Sequence, residues 1–121
     1  MSRPLLDESR LHPAIRDTVE HLHAEVVHNV QAASMSNAVL VVGMAGNPFC
    51  KRARKALDAA AVPHHYLEYG SYLSQWRERL ALKMWSGWPT FPLVLVKGVL
   101  IGGASDLATL IESGELKRLL A

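Results

Sequence analysis

"WPTFPLVLVKGVLIGG", residues 88–103, carries two short runs of leucine, valine and isoleucine on either side of Lys97-Gly98. Runs of this length, apolar throughout and rich in branched side chains, read as strands. A two-residue turn between them reads as a hairpin, because Gly98 reaches the positive φ that such a turn needs at no steric cost. The two strands therefore pair antiparallel. Upstream, "SGWPTFP" (86–92) breaks the preceding helix. Downstream, Gly102 and Gly103 end the second strand. A helix capped by Ser105 or a neighbour then runs through Leu110, and "SGELKRLL" adds a last turn or two.

Toward the N-terminus, "YLSQWRERLALKMW" (72–85) has helical spacing, with Leu73, Trp76, Leu80 and Met84 facing inward and Arg77, Arg79 and Lys83 outward or at the margin. "AVLVV" (38–42) reads as a strand buried on both faces. "HHYLEYG" (64–70) reads as a second strand, parallel to the first because a helix intervenes. That helix lies in "NPFCKRARKAL" (47–57). Asn47 is a good N-cap, and Pro48 suits a first helical position. Cys50, Ala53, Leu57 and Ala60 share its inner face, while Lys51, Arg54, Lys55 and Asp58 share the opposite one. Before all of these, residues 14–33 place Ile15, Val19, Leu22, Val26, Val30 and Ala33 three or four apart, the stripe of one amphipathic helix. The order is helix, βαβ, helix, ββα, without repeats or low-complexity tracts.

Composition bounds the function. A chain of 121 residues, half of them apolar and a fifth charged, makes one domain that needs no disulfide or structural metal. A net charge of +2 is too mild to argue for nucleic acid. No segment is long and apolar enough for a membrane span, and the first residues lack the apolar core of a signal peptide, so a cytoplasmic protein is expected. His21, His23 and His28 lie off the helical stripe with no i, i+4 partner, which reads as solvated histidines rather than metal ligands. No metal site is expected. Trp76, Trp85 and Trp88 read as core or rim packing. Basic residues gather at 51–55 and at Arg77, Arg79 and Lys83, and would form an electropositive groove if the two segments met.

The single cysteine, Cys50, is pulled two ways. A helix N-terminus and nearby cations favour its thiolate, whereas an inward position desolvates the thiol and makes it a small hydrophobe.

The order of elements and three stretches together resemble the glutaredoxin family over roughly residues 37–121, with residues 1–36 as an N-terminal helical extension. "NPFCKRARKAL" is similar to the family's redox helix. "LALKMWSGWPTFPLVLVKGVLIGG" (80–103) resembles the monothiol pattern around Trp-Pro-Thr-x-Pro, and "GGASDLATLIESGEL" (102–116) resembles the Gly-Gly-x-Ser/Asp-Asp-Leu ending. The resemblance is closest to monothiol types, but with Asn-Pro-Phe-Cys in place of their motif. It implies an α/β thioredoxin-like fold: a four-stranded mixed sheet flanked by helices, plus the extra N-terminal helix.

The resemblance further implies a glutathione site. Pro92 would be the family's cis-proline, and the Phe91 backbone beside it would pair with the ligand's cysteinyl backbone. Ser105 and Asp106 would receive the γ-glutamyl group, with Thr90 and Gly103 beside them. Arg79 and Lys83 would reach toward the glycine carboxylate. Two positions depart from the family. Asn47 stands where the nucleophilic cysteine belongs, and Met44 where a glutathione-binding lysine usually lies. Cys50 takes the second cysteine's place.

Three functions follow as expectations. The first is a glutathione-binding redox protein with lost or altered thiol–disulfide exchange, leaving room for a protein partner at the same groove. The second is an active glutathione-dependent oxidoreductase working through Cys50. The third is handling of iron–sulfur clusters or metal, though a cluster is not expected without the thiolate at position 47. No nucleic acid or membrane partner is expected.

Overall fold

The computed structural model describes residues 3–121. A single 3₁₀ turn (Glu8–Arg10) precedes α1 (Pro13–Glu20) and α2 (Ala24–Ser36). There follow β1 (Val39–Gly43), α3 (Pro48–Ala59), β2 (His65–Glu68) and α4 (Trp76–Ser86). The chain ends with β3 (Leu93–Val96), β4 (Val99–Gly102), α5 (Ala104–Glu112) and α6 (Glu115–Leu120).

The four strands form one sheet in the order β2-β1-β3-β4. β1 pairs parallel with β2, Leu40 opposite His65, and antiparallel with β3, Leu40 opposite Leu95. The β3–β4 hairpin turns at Lys97 and Gly98 with φ of 49° and 80°, the two positive values that a tight hairpin of this twist requires.

β1 is buried along its whole length because helices cover both sheet faces. Leu40 and Val42 join Val26 and Val30 of α2 and Leu82 of α4 on one side. Val39 and Val41 join Ala53 and Leu57 of α3, Leu107 of α5 and Leu116 of α6 on the other. The mixed four-stranded sheet, the flanking helices and the N-terminal helical addition all match the expected fold.

Two local expectations are corrected and a third is narrowed. The helix expected over 14–33 is two helices, broken at His21–His23 where His23 sits at φ 45°. From Val26 onward α2 lies on the sheet, but α1 buries no residue, and Ile15 and Val19 stay 48% and 44% exposed. Next, α4 starts at Trp76 and is rolled relative to the expected phase. It buries Arg79, Ala81 and Leu82, while Leu73, Trp76, Leu80 and Met84 face solvent. Both sides of this helix carry apolar residues, so spacing alone did not choose between them. Trp76, expected in packing, is exposed, whereas Trp85 and Trp88 are half-buried. Finally, α5 begins at Ala104, so of the expected cap, Ser105 or a neighbour, it is the neighbour Gly103 that holds the position. The Asp106 carboxylate reaches back to accept from the N–H of Gly103 at 3.0 Å.

Among the described residues no helix is long and apolar enough to cross a membrane.

Candidate functional site

Two helix N-termini, those of α3 and α5, approach the same region of the surface, and the chain treats them oppositely. The first N–H groups of any helix lack intrahelical partners and carry partial positive charge. At α3 the Asn47 side chain closes that end: its Oδ1 accepts from the N–H of Phe49 at 2.8 Å and of Cys50 at 3.1 Å. At α5 no side chain caps the first-turn N–H groups, since the Asp106 carboxylate is turned back toward Gly103. One end is stoppered and the other is open.

The open end faces a groove of about 280 Å³ lined by Phe49, Trp88, Thr90, Phe91, Pro92, Gly103, Ala104, Ser105 and Asp106. The Phe91–Pro92 peptide is cis. Among the described residues the Phe91 main chain makes no hydrogen bond in a turn, loop or cap, while the residue itself is buried. Six residues named from the resemblance (Thr90, Phe91, Pro92, Gly103, Ser105 and Asp106) thus line one groove. Lys83 stands at its edge, with Nζ 5.7 Å from the centre of the Phe91 ring.

Arg79 lies elsewhere. Its guanidinium is buried, and Nη1 donates to the carbonyls of Tyr69 at 2.9 Å and Ser74 at 2.5 Å, clasping the loop before α4.

Cys50 points into the core with 2% of its surface exposed, beside Gly43 of β1. A Cβ on Gly43 would lie 2.8 Å from the Cys50 sulfur and 3.0 Å from the Tyr66 hydroxyl, so the glycine makes room for both. Burial pushes the Cys50 thiol above its ordinary range, outweighing the backbone hydrogen bond at Met44 that favours the thiolate. Tyr66, half-buried, is pushed up as well, first by burial and then by donating to Glu68 Oε1 at 2.9 Å. Arg54 stacks 4.0 Å above the Tyr66 ring. Met44 is itself buried in the core, at 6% exposure.

The two basic segments do not share a groove. Lys51, Arg52 and Lys55 line a separate hollow with Gly46, Asn47 and Pro48. Arg77 instead lies over the Trp76 ring at 5.1 Å.

Sequence reasoning missed two groove walls, Phe49 and Trp88. Trp88 is the more informative, since its Nε1 is buried without a hydrogen-bond partner. Its place directly before Pro89 and Thr90 was the signal available. The histidines do not gather around Cys50; Asp17, Glu20 and His21 bring ligand atoms within 4.8 Å of one another, but all three are exposed on and just after α1.

Residues 39–101 match the family model described as Glutaredoxin. The chain is similar to a glutaredoxin-like protein of Dictyostelium discoideum, 42% identical over 84% of this chain and 83% of the relative. It is similar to monothiol glutaredoxin-4 of Schizosaccharomyces pombe, 31% identical over 76% of this chain and 39% of that longer protein. Among solved structures, oxidised glutaredoxin 2 of Chlamydomonas reinhardtii superposes with a TM-score of 0.69 at 30% identity, covering 80% of this chain and 92% of that one.

Proposed function

This chain belongs to the glutaredoxin family, and from that premise we propose that it binds glutathione in the groove beside Pro92 without carrying out the family's usual exchange at the start of α3. The opposite treatment of the two helix ends carries the reading. The open N-terminus of α5 suits the γ-glutamyl carboxylate of the ligand, with Ser105 exposed beside it. The main chain of Phe91, which serves no turn, loop or cap, suits the ligand's cysteinyl backbone. Lys83, at the edge, suits the glycine carboxylate as a point charge. Arg79 has no part in this reading, because its donors already serve two carbonyls.

At the stoppered end, thiol–disulfide exchange requires a thiolate that attacks a disulfide sulfur and releases the other sulfur as thiolate. Asn47 supplies an amide oxygen instead, and that oxygen is already held by two N–H groups. Cys50, the one thiol present, is too buried and too weakly acidic to replace it. The same residues do not fit a shared two-iron cluster. Such a cluster needs an accessible thiolate at the groove, and none stands there. The protein is then a binding member of a redox family.

Two measurements test this. Titration with reduced glutathione should shift the NMR signals of Phe91, Ser105, Asp106 and Lys83 at millimolar ligand. Intact mass after incubation with oxidised glutathione at neutral pH should show no adduct on Cys50. Absence of shifts in the groove would remove the binding half of the proposal, and a rapid stoichiometric adduct the other half.

A further inference from the structure

The outer side of α4 is apolar. Trp76, Leu80 and Met84 succeed one another at i, i+4 and i+8 with 58%, 44% and 54% of their surface exposed, and Leu73, just before the helix, is 96% exposed. Isolated exposed apolar residues are ordinary, but three aligned on one helix ridge, with a fourth exposed just before it, are the kind of patch that marks an interaction surface. Among the described residues, from Arg3 onward, the N-terminal segment of the same chain does not cover it. That segment is tied beside α4 by Arg3, which donates to the Trp85 carbonyl at 3.2 Å, and by His23, 3.9 Å from Glu78. The ridge stays open with these ties in place.

The charges beside the ridge select the occupant. Arg77 and Lys83 flank it on either side, and Glu78, the acid of this helix, faces His23 instead. Arg77 also covers the Trp76 ring at 5.1 Å and holds the largest side chain of the patch in place. A second copy docked ridge to ridge would set Arg77 and Lys83 against their own equivalents, a like-charge contact that disfavours pairing. An anionic lipid surface attracts clusters of about four to eight cations. Here two face the same way as the ridge, while Lys51, Arg52 and Lys55 belong to α3, across the sheet from α4.

We infer that the outer face of α4 is the docking surface for an amphipathic helix of a partner protein, one whose apolar side chains recur every three to four residues between flanking acidic ones. A single ridge with basic margins is what such a helix packs against: its apolar anchors lie along Leu73, Trp76, Leu80 and Met84, and its carboxylates meet Arg77 and Lys83. Lys83 also stands over Phe91, so the docked helix would lie next to the groove beside Pro92. The inference does not depend on whether that groove binds glutathione.

The test uses the full chain and two synthetic helical peptides with the same leucine pattern, one flanked by glutamates and one by lysines. The glutamate peptide should bind with micromolar affinity, with NMR shifts confined to residues 72–84, and the lysine peptide about tenfold more weakly. Leu80→Asp, at an exposed position, should abolish binding without moving the thermal midpoint, and Arg77→Glu should narrow or reverse the preference between the peptides. Failure of both peptides to bind would overturn the inference, as would equal affinity for the two. So would binding of phosphatidylserine vesicles through these residues, or a dimer in sedimentation that Leu80→Asp dissolves.

Discussion

Asn47 performs with one oxygen what a helix start asks of any cap, and replacing it by alanine should cost about 1 kcal/mol in urea unfolding. Replacing it by cysteine exchanges that cap for a thiol next to Lys51 and Arg52, at a helix end that favours anions. The Asn47→Cys variant should therefore be alkylated with an apparent pKa below the ordinary thiol range, and should gain exchange with oxidised glutathione. Met44→Lys, by contrast, would put an ammonium in the core, where Met44 is only 6% exposed, and should lower the urea midpoint. A low-pKa thiol that exchanges nothing would speak against a glutathione groove. Cys50 gives a prediction of opposite sign. Its thiol is raised in the folded state, so the native protein holds the proton more tightly than the unfolded chain. The associated stability is complete below the ordinary thiol value of 9.0 and is lost as pH rises through the higher folded-state value. Cys50→Ala should flatten the alkaline fall in stability, with Tyr66 accounting for part of what remains. Both positions were readable from sequence, because a cap followed by proline and a 3.6-residue apolar spacing are local signals.

At the level of elements, α4 shows where such signals fail. Its sequence offers two apolar stripes, and the inner one includes Arg79, which no hydropathy rule would bury. Burial is tolerated because two carbonyls, those of Tyr69 and Ser74, receive the charge, and those partners lie in a loop whose path was not legible. Arg79→Met should cost about 2 kcal/mol and speed amide exchange over residues 70–75. Arg79→Lys should recover only part of this, since an ammonium lacks the planar fork. The junction of β4 and α5 was better marked. Gly102 sits at φ 117°, and a Cβ there would come 2.4 Å from the Asp106 carboxylate. Gly102→Ala should lose more than about 1 kcal/mol and, by displacing Asp106 from Gly103, weaken whatever binds at the head of α5. The glycine pair announced the turn in the sequence, but the reach of Asp106 back to Gly103 depends on how the strand delivers the chain, and it surfaced only in the fold.

For the whole molecule, the order of elements, the parallel βαβ pair and the antiparallel hairpin followed from clear punctuation between strands and helices, while their union in one mixed sheet followed from the family resemblance. The break between α1 and α2 did not, since nothing local distinguishes the half of the stripe that meets the sheet from the half that meets water. That difference bears on where the folding unit begins. Val26 and Val30 sit in the core with Leu40, Val42 and Leu82, whereas α1 buries no residue. A chain lacking residues 1–22 should keep a cooperative unfolding transition, and one lacking residues 1–36 should lose it, as followed by circular dichroism in urea. The position of β1 has another outcome. Its neighbours in the sheet are β2, reached after one helix, and β3, which starts only at Leu93. While the chain is being made, Val39–Gly43 can gain its parallel partner early but must wait some fifty residues for its antiparallel one. During that interval this apolar strand presents an open edge to other nascent chains. The late hairpin thus acts as a closing clasp, and slow or interrupted synthesis before Val96 should favour aggregation over folding.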